Sequence, residues 1–598
     1  MISFKQAVGL TATSLALCVA ACGGGGGGGG SPSAPIVVSM SVPPPATLPI
    51  DTTASMAATV NNDPALAGVK WAVSCSAADC GSFNPARTGS NEAAIYTPPS
   101  TLPSPATVSV TATSMSDASK SASATIQLTA AATQPLADGT YVFHLSGRDG
   151  NGPYYLAGAF KVVDGAIAAG EQDYSDAILG SSDALVAGQS SLKTTGGTIQ
   201  IILATANSAV GVDGIETIRC TSVSPSRLLI SEFDPDATAT GSIDLQSSAV
   251  APSGGYAFAV AGTDTNNGNP LVLGGILTLD GAALTAGSSV FDWNDGGAVL
   301  QNEAFASGSV TAPDAFGRVT LDLVPTAGSQ VPELKFTAYI VGGDRLQLIE
   351  DQSDALNANL GGTALGQGSH AGHFSVASVA GSSYAHGTLG AEASGGGAAP
   401  LTLAGGFGLN ADGTVGGRMA FADSNVQEGN DISGAYTVDP TGRVTLKQIA
   451  LATTGVTLNF QLYLDGNGNG LVIGVDSFQV TEGVAYNQVS GQPLGGEYAL
   501  SAQGIASSGA FSAVGPVTVI SGNFSGATDY NNDGAPQPAT PLSGSQDTGN
   551  GTLQLSGLSG DTTTQSHWGY YPIDSSRTLA IEIDGQQLGL LFLEAVSK

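Results

Sequence analysis

The chain has 598 residues, of which 17 are lysine or arginine and 48 aspartate or glutamate, for a formal net charge of −31. A surface this acidic is repelled by nucleic acid and by anionic lipid headgroups, which makes both poor partners. Only 11% of residues are charged, 42% are hydrophobic and 84 are glycine, a balance that fits turn-rich folded domains and excludes an acidic disordered tail; the length allows about five domains.

Taken in order, residues 1–21 carry Lys5, an apolar run over 7–16 and the exit Val19-Ala20-Ala21-Cys22. The run is too short for a membrane-spanning helix and has the layout of an export signal. Val-Ala-Ala-Cys resembles the lipobox of bacterial lipoproteins. That resemblance implies cleavage before Cys22 and a diacylglyceryl group on Cys22, hence attachment to a bacterial membrane through lipid. Gly23, in place of aspartate, implies sorting to the outer membrane or cell surface. An ordinary secretory signal cut nearby is the alternative. The following segment favours the anchor: eight glycines, 23–30, continue into Ser31-Pro32-Ser33-Ala34-Pro35. This makes 22–35 a flexible tether reaching roughly 20 Å. No strand precedes the glycines and no Gly-Lys-Ser/Thr follows, so they do not read as a phosphate loop.

Within 36–130, strand-like alternation runs through 69–73, 93–96 and 106–111. Tyr96-Thr97-Pro98-Pro99 and the Ser- and Ala-rich closing strand resemble bacterial Ig-like surface domains, which implies a β-sandwich with Trp71 in its core. Cys75 and Cys80 bracket Ser-Ala-Ala-Asp. No second cysteine pair or nearby histidine completes a zinc tetrahedron, so a disulfide is expected.

From about residue 137 the chain repeats itself. The openings Gly139-Thr140-Tyr141-Val142-Phe143, Gly255-Tyr256-Ala257-Phe258, Gly372-His373-Phe374-Ser375-Val376 and Gly496-Glu497-Tyr498-Ala499-Leu500 set aromatic anchors at Tyr141, Tyr256, Phe374 and Tyr498, by subtraction 115, 118 and 124 residues apart. Such spacing exceeds a solenoid repeat and suits a small domain. The expected units are 137–246, 254–367, 371–488 and 495–598. In the second, strand character is found at 256–262, 271–279, 283–292, 306–311, 318–324, 333–341, 345–350 and 362–367. Leu334, Phe336, Ala338 and Ile340 share one face, opposite Lys335, Thr337 and Tyr339. No convincing helical stripe appears, so almost no helix is expected.

Eight sequential strands with one apolar face each must bury it, in a closed up-and-down barrel or, alternatively, a two-sheet sandwich. Closure removes exposed edges and is favoured. Gly158, Gly275, Gly405 and Gly515 recur inside the second strand, where a small barrel needs a sharp bend. Arg227, Arg345 and Arg577 recur in the penultimate strand, while the third unit has Asn469-Gly470 instead. The meander resembles avidin-like and lipocalin-like barrels in shape, without a binding motif of either family. The expected fold class is all-β: an N-terminal Ig-like sandwich, then four tandem small antiparallel β-barrels.

The strongest site-like pattern is Asp529-Tyr530-Asn531-Asn532-Asp533-Gly534, the front half of a calcium loop with oxygens from Asp529, Asn531 and Asp533. Position twelve holds Thr540 instead of glutamate, and Asp, Asn and Gly also dominate hairpin turns, which is the favoured reading. Calcium is the one cofactor suggested. His370, His373 and His386 are close enough in sequence to suggest zinc, but read better as exposed turn or strand residues. His567-Trp568-Gly569-Tyr570-Tyr571 is the one concentrated aromatic patch; Trp568 and Tyr570 are candidates for stacking a sugar, although core and rim packing is favoured. Cys220, the odd cysteine of the mature chain, reads as a buried inert thiol. No nucleophile elbow, His-Glu-x-x-His or Cys–His signature occurs, so no catalytic residue is assigned and no enzyme is expected. The expected role is non-catalytic display at the cell surface, adhering to an extracellular glycan or protein through repeated domains. Small-ligand binding inside the barrels is the alternative, and a surface hydrolase the least favoured.

Overall fold

The structure is a computed structural model and describes residues 34–50, 52–99, 101–129, 136–195, 198–351, 353–393, 398–423, 427–489, 494–558, 565–585 and 587–597. The export signal, Cys22 and nearly all of the tether lie outside the described residues. The first domain is a sandwich of two sheets. One orders the strands Val37–Val42, Ala54–Asn61, Ala93–Thr97 and Ser82–Asn84; the other orders Thr47–Pro49, Ser121–Thr129, Thr107–Ser114, Val69–Ser74 and Arg87–Thr88. Val108, Val110 and Ala112 alternate inward and meet Trp71, Tyr96 and Met56 in one core. Trp71 is 3% exposed and donates its indole N–H to Thr88 Oγ1 at 3.0 Å. The Cys75–Cys80 disulfide is formed.

Each repeat then winds into an eight-stranded barrel. In the second, seven of the eight expected segments fall on single strands, from Ser253–Asp264 to Ala358–Gly366, while 283–292 is broken into Ala283–Leu284 and Val290–Asp295 by the turn Ala286–Ser288. The pairing of the first strand with both Asn269–Asp280 and Ala358–Gly366 closes the circle. The third and fourth are closed as well. The first follows the same path with its fourth strand in two pieces, Gly180–Ala184 and Ser191–Thr195, which form the two ends of its sheet. The recurrent glycines have a direct cause. A Cβ at Gly158, Gly275, Gly405 or Gly515 would meet a third-strand carbonyl oxygen at 2.4, 2.1, 2.3 or 2.1 Å, so only a residue without one permits the bend.

The opening of the third barrel differs from expectation. Its first strand is Ser383–Glu392, and Tyr384 pairs with Phe407 as Tyr141 pairs with Phe160 and Tyr256 with Leu277. Phe374 precedes that strand and packs onto the same core beside the four-residue helix Val376–Val379, the one α-helix among the described residues, capped by Ser375 and Ser378. An apolar residue behind Gly-His looks like a strand start to a period-two reading, yet Ser375 supplies a helix cap.

The barrels do not follow one another as separate beads. The outer face of strands one to three in each barrel packs on the outer face of strands six to eight of the next. Val142, Tyr155 and Ala157 of barrel 1 meet Tyr339, Val341 and Ile349 of barrel 2. Ala257, Ala259 and Val272 of barrel 2 meet Tyr463, Leu471 and Ile473 of barrel 3. Ala385, Ala404 and Ala420 of barrel 3 meet Leu579, Ile581 and Leu590 of barrel 4. Ala499 and Val514 of barrel 4 meet Val223 and Leu229 of barrel 1. One head-to-tail interface used four times closes into a ring within a single chain. The sandwich lies against the ring, its Ala54–Asn61 and Ala93–Thr97 strands beside the Asn523–Asn532 and Ala535–Asp547 hairpin of barrel 4.

Candidate functional site

Polar groups set the geometry of each seam. On the third strand, Asp173, Asp292 and Asp529 occupy one register position, with Ser175, Asn294 and Asn531 two residues on. Asp173 receives Arg318 Nε and Nη2, both at 2.7 Å, and the Tyr339 hydroxyl. Asp292 receives Arg443 Nε at 2.7 Å, Nη2 at 2.5 Å and the Tyr463 hydroxyl at 2.7 Å. Asn294 donates its amide to the carbonyls of Gly474, Asp476 and Gln479. Asn531 does the same to Glu232, Asp234 and Ala237 of barrel 1, and Asp529 faces Arg219 at 3.9 Å. Barrel 3 places Ala420 and Ala422 at these two positions, and its seam with barrel 4 is apolar.

The recurrent arginines serve the same seams. Arg345 reaches Asp244 of barrel 1 at 3.4 Å, Arg227 reaches Glu594 of barrel 4 at 3.0 Å, and Arg577 lies 4.8 Å over the Tyr486 ring of barrel 3. Where the third unit has Asn469 instead, the matching position of barrel 2 is apolar Leu365, so charge and partner are missing together. After each last strand, Gln246, Gln367 and Gln488 donate to carbonyls of the next barrel, at Ile340, Leu464 and Pro572. Ser597 N donates to Val223 O at 2.8 Å, as Ser247 N donates to Val341 O, and ties barrel 4 back to barrel 1.

The calcium pattern therefore falls on a strand. Asp529 and Asn531 lie within Asn523–Asn532, committed to the seam with barrel 1, and Asp533 sits in the hairpin turn with φ of 51°. The aromatic patch packs as core and rim, the favoured reading, and the sugar-stacking alternative for Trp568 and Tyr570 needs correction. Trp568 is wholly buried in the fourth core with its indole N–H donated to Ser566 Oγ at 2.8 Å, and Tyr570 packs half-buried against that core. A period-two strand sends Trp568 inward, leaving no ring face to a ligand. His370 and His373 are exposed, whereas His386 is inside barrel 3, so the three do not converge. Burial holds the His386 imidazole down to about 4. Cys220 is buried in the first core, which pushes its thiol up.

The interiors of all four barrels are filled by their own side chains, Phe143, Phe258, Phe460 and Trp568 among them. One end differs between units. There an aromatic pair plugs barrel 1 (Tyr154–Tyr174, 5.4 Å), barrel 3 (Phe421–Phe478, 6.1 Å) and barrel 4 (Phe511–Tyr530, 6.1 Å). Barrel 2 has Trp293 in the register of Tyr174, Phe421 and Tyr530 but Leu271 in that of Tyr154 and Phe511. A cavity of about 510 Å³ opens there, floored by Trp293, walled by Val299, Leu300, Val331 and Leu356, and rimmed by Asp264, Asn266, Asp295 and Gln330. Barrel 3 also has a leucine in the register of Leu271, Leu401, but Phe478 from the segment before its last strand fills the gap, whereas barrel 2 has Leu356 at that place. No sequence motif marks this mouth, and its signal is the absence of both aromatics, visible only after the repeats are aligned by register.

No protein-family model, curated protein or solved structure matches this chain.

Proposed function

We propose that the protein is a non-catalytic lipoprotein of the bacterial cell surface, which displays a ring of four barrels on a glycine tether and binds an extracellular glycan or protein through the mouth of barrel 2. The observation carrying this reading is that mouth. Barrels 1, 3 and 4 are plugged at the same end, and barrel 2 exposes a cavity of ligand size with an apolar floor and an acid–amide rim. Filled interiors weigh against the barrel axes as ligand sites, and four fused modules act as one platform instead of four independently tethered ones. The lipid anchor rests on the resemblance around Cys22.

The test uses intact cells displaying the full chain on panels of immobilised polysaccharide and matrix protein. Gln330→Trp fills the mouth from an exposed position and is expected to abolish adhesion at unchanged surface level. Cys22→Ser is expected to release the protein into the medium. Adhesion of Gln330→Trp cells equal to wild type rejects the mouth; retention of Cys22→Ser on the membrane rejects the anchor.

A further inference from the structure

Barrel 1 buries three carboxyl groups together. Glu216, Glu232 and Asp234 are 1%, 0% and 5% exposed, and one oxygen from each lies within 4.8 Å of the other two. Part of this belongs to the fold. Asp234 Oδ2 accepts the Thr217 amide, as Asp354, Asp476 and Asp584 accept those of Lys335, Asn459 and His567 in the other barrels. Glu232 likewise has counterparts in Glu350 and Glu582.

Glu216 does not belong to the common plan. The register places Leu334, Leu458 and Ser566 at its position, and Leu271, Leu401 and Phe511 at that of Tyr154, whose hydroxyl donates to Glu232 Oε2 at 3.3 Å. The fold therefore accepts an apolar side chain where barrel 1 has a third acid. Arg219, on the same strand, projects the other way, onto the Phe233 ring and toward Asp529. Glu216 Oε1 is enclosed and has no partner within the protein. Uncompensated carboxylates are strongly disfavoured in such surroundings, so the group must take up protons or a cation. A proton neutralises one oxygen, whereas a cation satisfies the enclosed oxygens of all three together. Burial first, then the neighbouring Asp234 carboxylate, push Glu216 and Glu232 well above the usual carboxylate range.

We propose that Glu216, Glu232 and Asp234 form a binding site for a hard divalent cation of the calcium class. The donor set is all oxygen, without the nitrogen or sulfur that zinc or copper prefers, and calcium tolerates irregular carboxylate geometry. The site has a structural consequence. Glu232, Asp234 and Ala237 offer their carbonyls to Asn531 of barrel 4, so a bound cation braces the segment on which the ring closes.

The test is made on the full chain stripped with a chelator. Terbium should show emission sensitised through Tyr154, displaced by calcium, and calcium should raise the melting temperature at millimolar concentration. Glu216→Leu, which copies Leu334 and Leu458, should melt no lower than wild type without calcium and lose both responses. Glu216→Gln, which keeps the shape, should lose them too and decides the matter if the leucine variant folds poorly. A wild-type protein indifferent to calcium, or a Glu216→Gln protein that responds like wild type, overturns the site.

Discussion

Asp292 is the sharpest test of the ring. Its side chain is 0% exposed, and it receives two hydrogen bonds from Arg443, itself 11% exposed, a third from Tyr463 and a fourth from the Asn302 amide. Removing the carboxylate strands a desolvated guanidinium and a phenol, so Asp292→Ala is expected to lower stability by about 3–5 kcal/mol. Arg443→Met strands the carboxylate instead and should lose a similar amount. The double variant leaves no buried charge, and the seam between barrels 3 and 4, with Ala420 at the Asp292 position, shows that an apolar version is sound. Its loss should therefore be about 1–2 kcal/mol, giving a coupling energy of roughly 3 kcal/mol or more. Urea titrations of the four proteins, followed by tryptophan fluorescence, close the cycle. Losses that add within about 0.5 kcal/mol, or an Asp292→Ala loss under about 1 kcal/mol, would refute the seam as described.

Two further outcomes follow from the same geometry. Gly275→Ala places a Cβ 2.1 Å from the Val290 carbonyl oxygen, so calorimetry should show a loss of about 1–3 kcal/mol, and a neutral result would remove the bend argument. The Glu482 carboxyl is raised to about 7 by burial, so the folded chain holds a proton that the unfolded chain releases above about 4.3. Stability from this group is full below that pH and is lost as pH rises to about 7, by up to about 1.4 kcal/mol per pH unit in that window. Glu482→Gln should flatten the melting temperature between pH 5 and 7 relative to wild type; identical profiles would contradict it.

Alternation alone located the strands, because a side chain in a strand is committed to one face or the other. The strands of the second repeat are legible in this way, with the third segment broken by a short turn; the recurrent glycines follow from aligning the repeats, and the disulfide from the absence of further zinc ligands near Cys75 and Cys80. The glycine–aromatic pattern puts the opening of the third repeat at Phe374, whereas cross-strand register identifies Tyr384. The second strands also carry apolar residues on both faces, as in Tyr154-Tyr155-Leu156-Ala157 and Leu271-Val272-Leu273, a sign of two-sided burial that points to a seam.

Local chemistry in this chain fixed what each strand is; tertiary structure decided what its outer face meets. Asp529 and Asn531 carry the spacing of a cation loop and read better as a hairpin turn, because spacing along the chain is all that a sequence displays, yet their partners lie some three hundred residues away in barrel 1. Arg227, Arg345 and Arg577 were visible as a repeat, but their purpose depends on Glu594, Asp244 and Tyr486 in neighbouring barrels. Ring closure depends on how four twisted barrels add up in space, and no local preference encodes that sum.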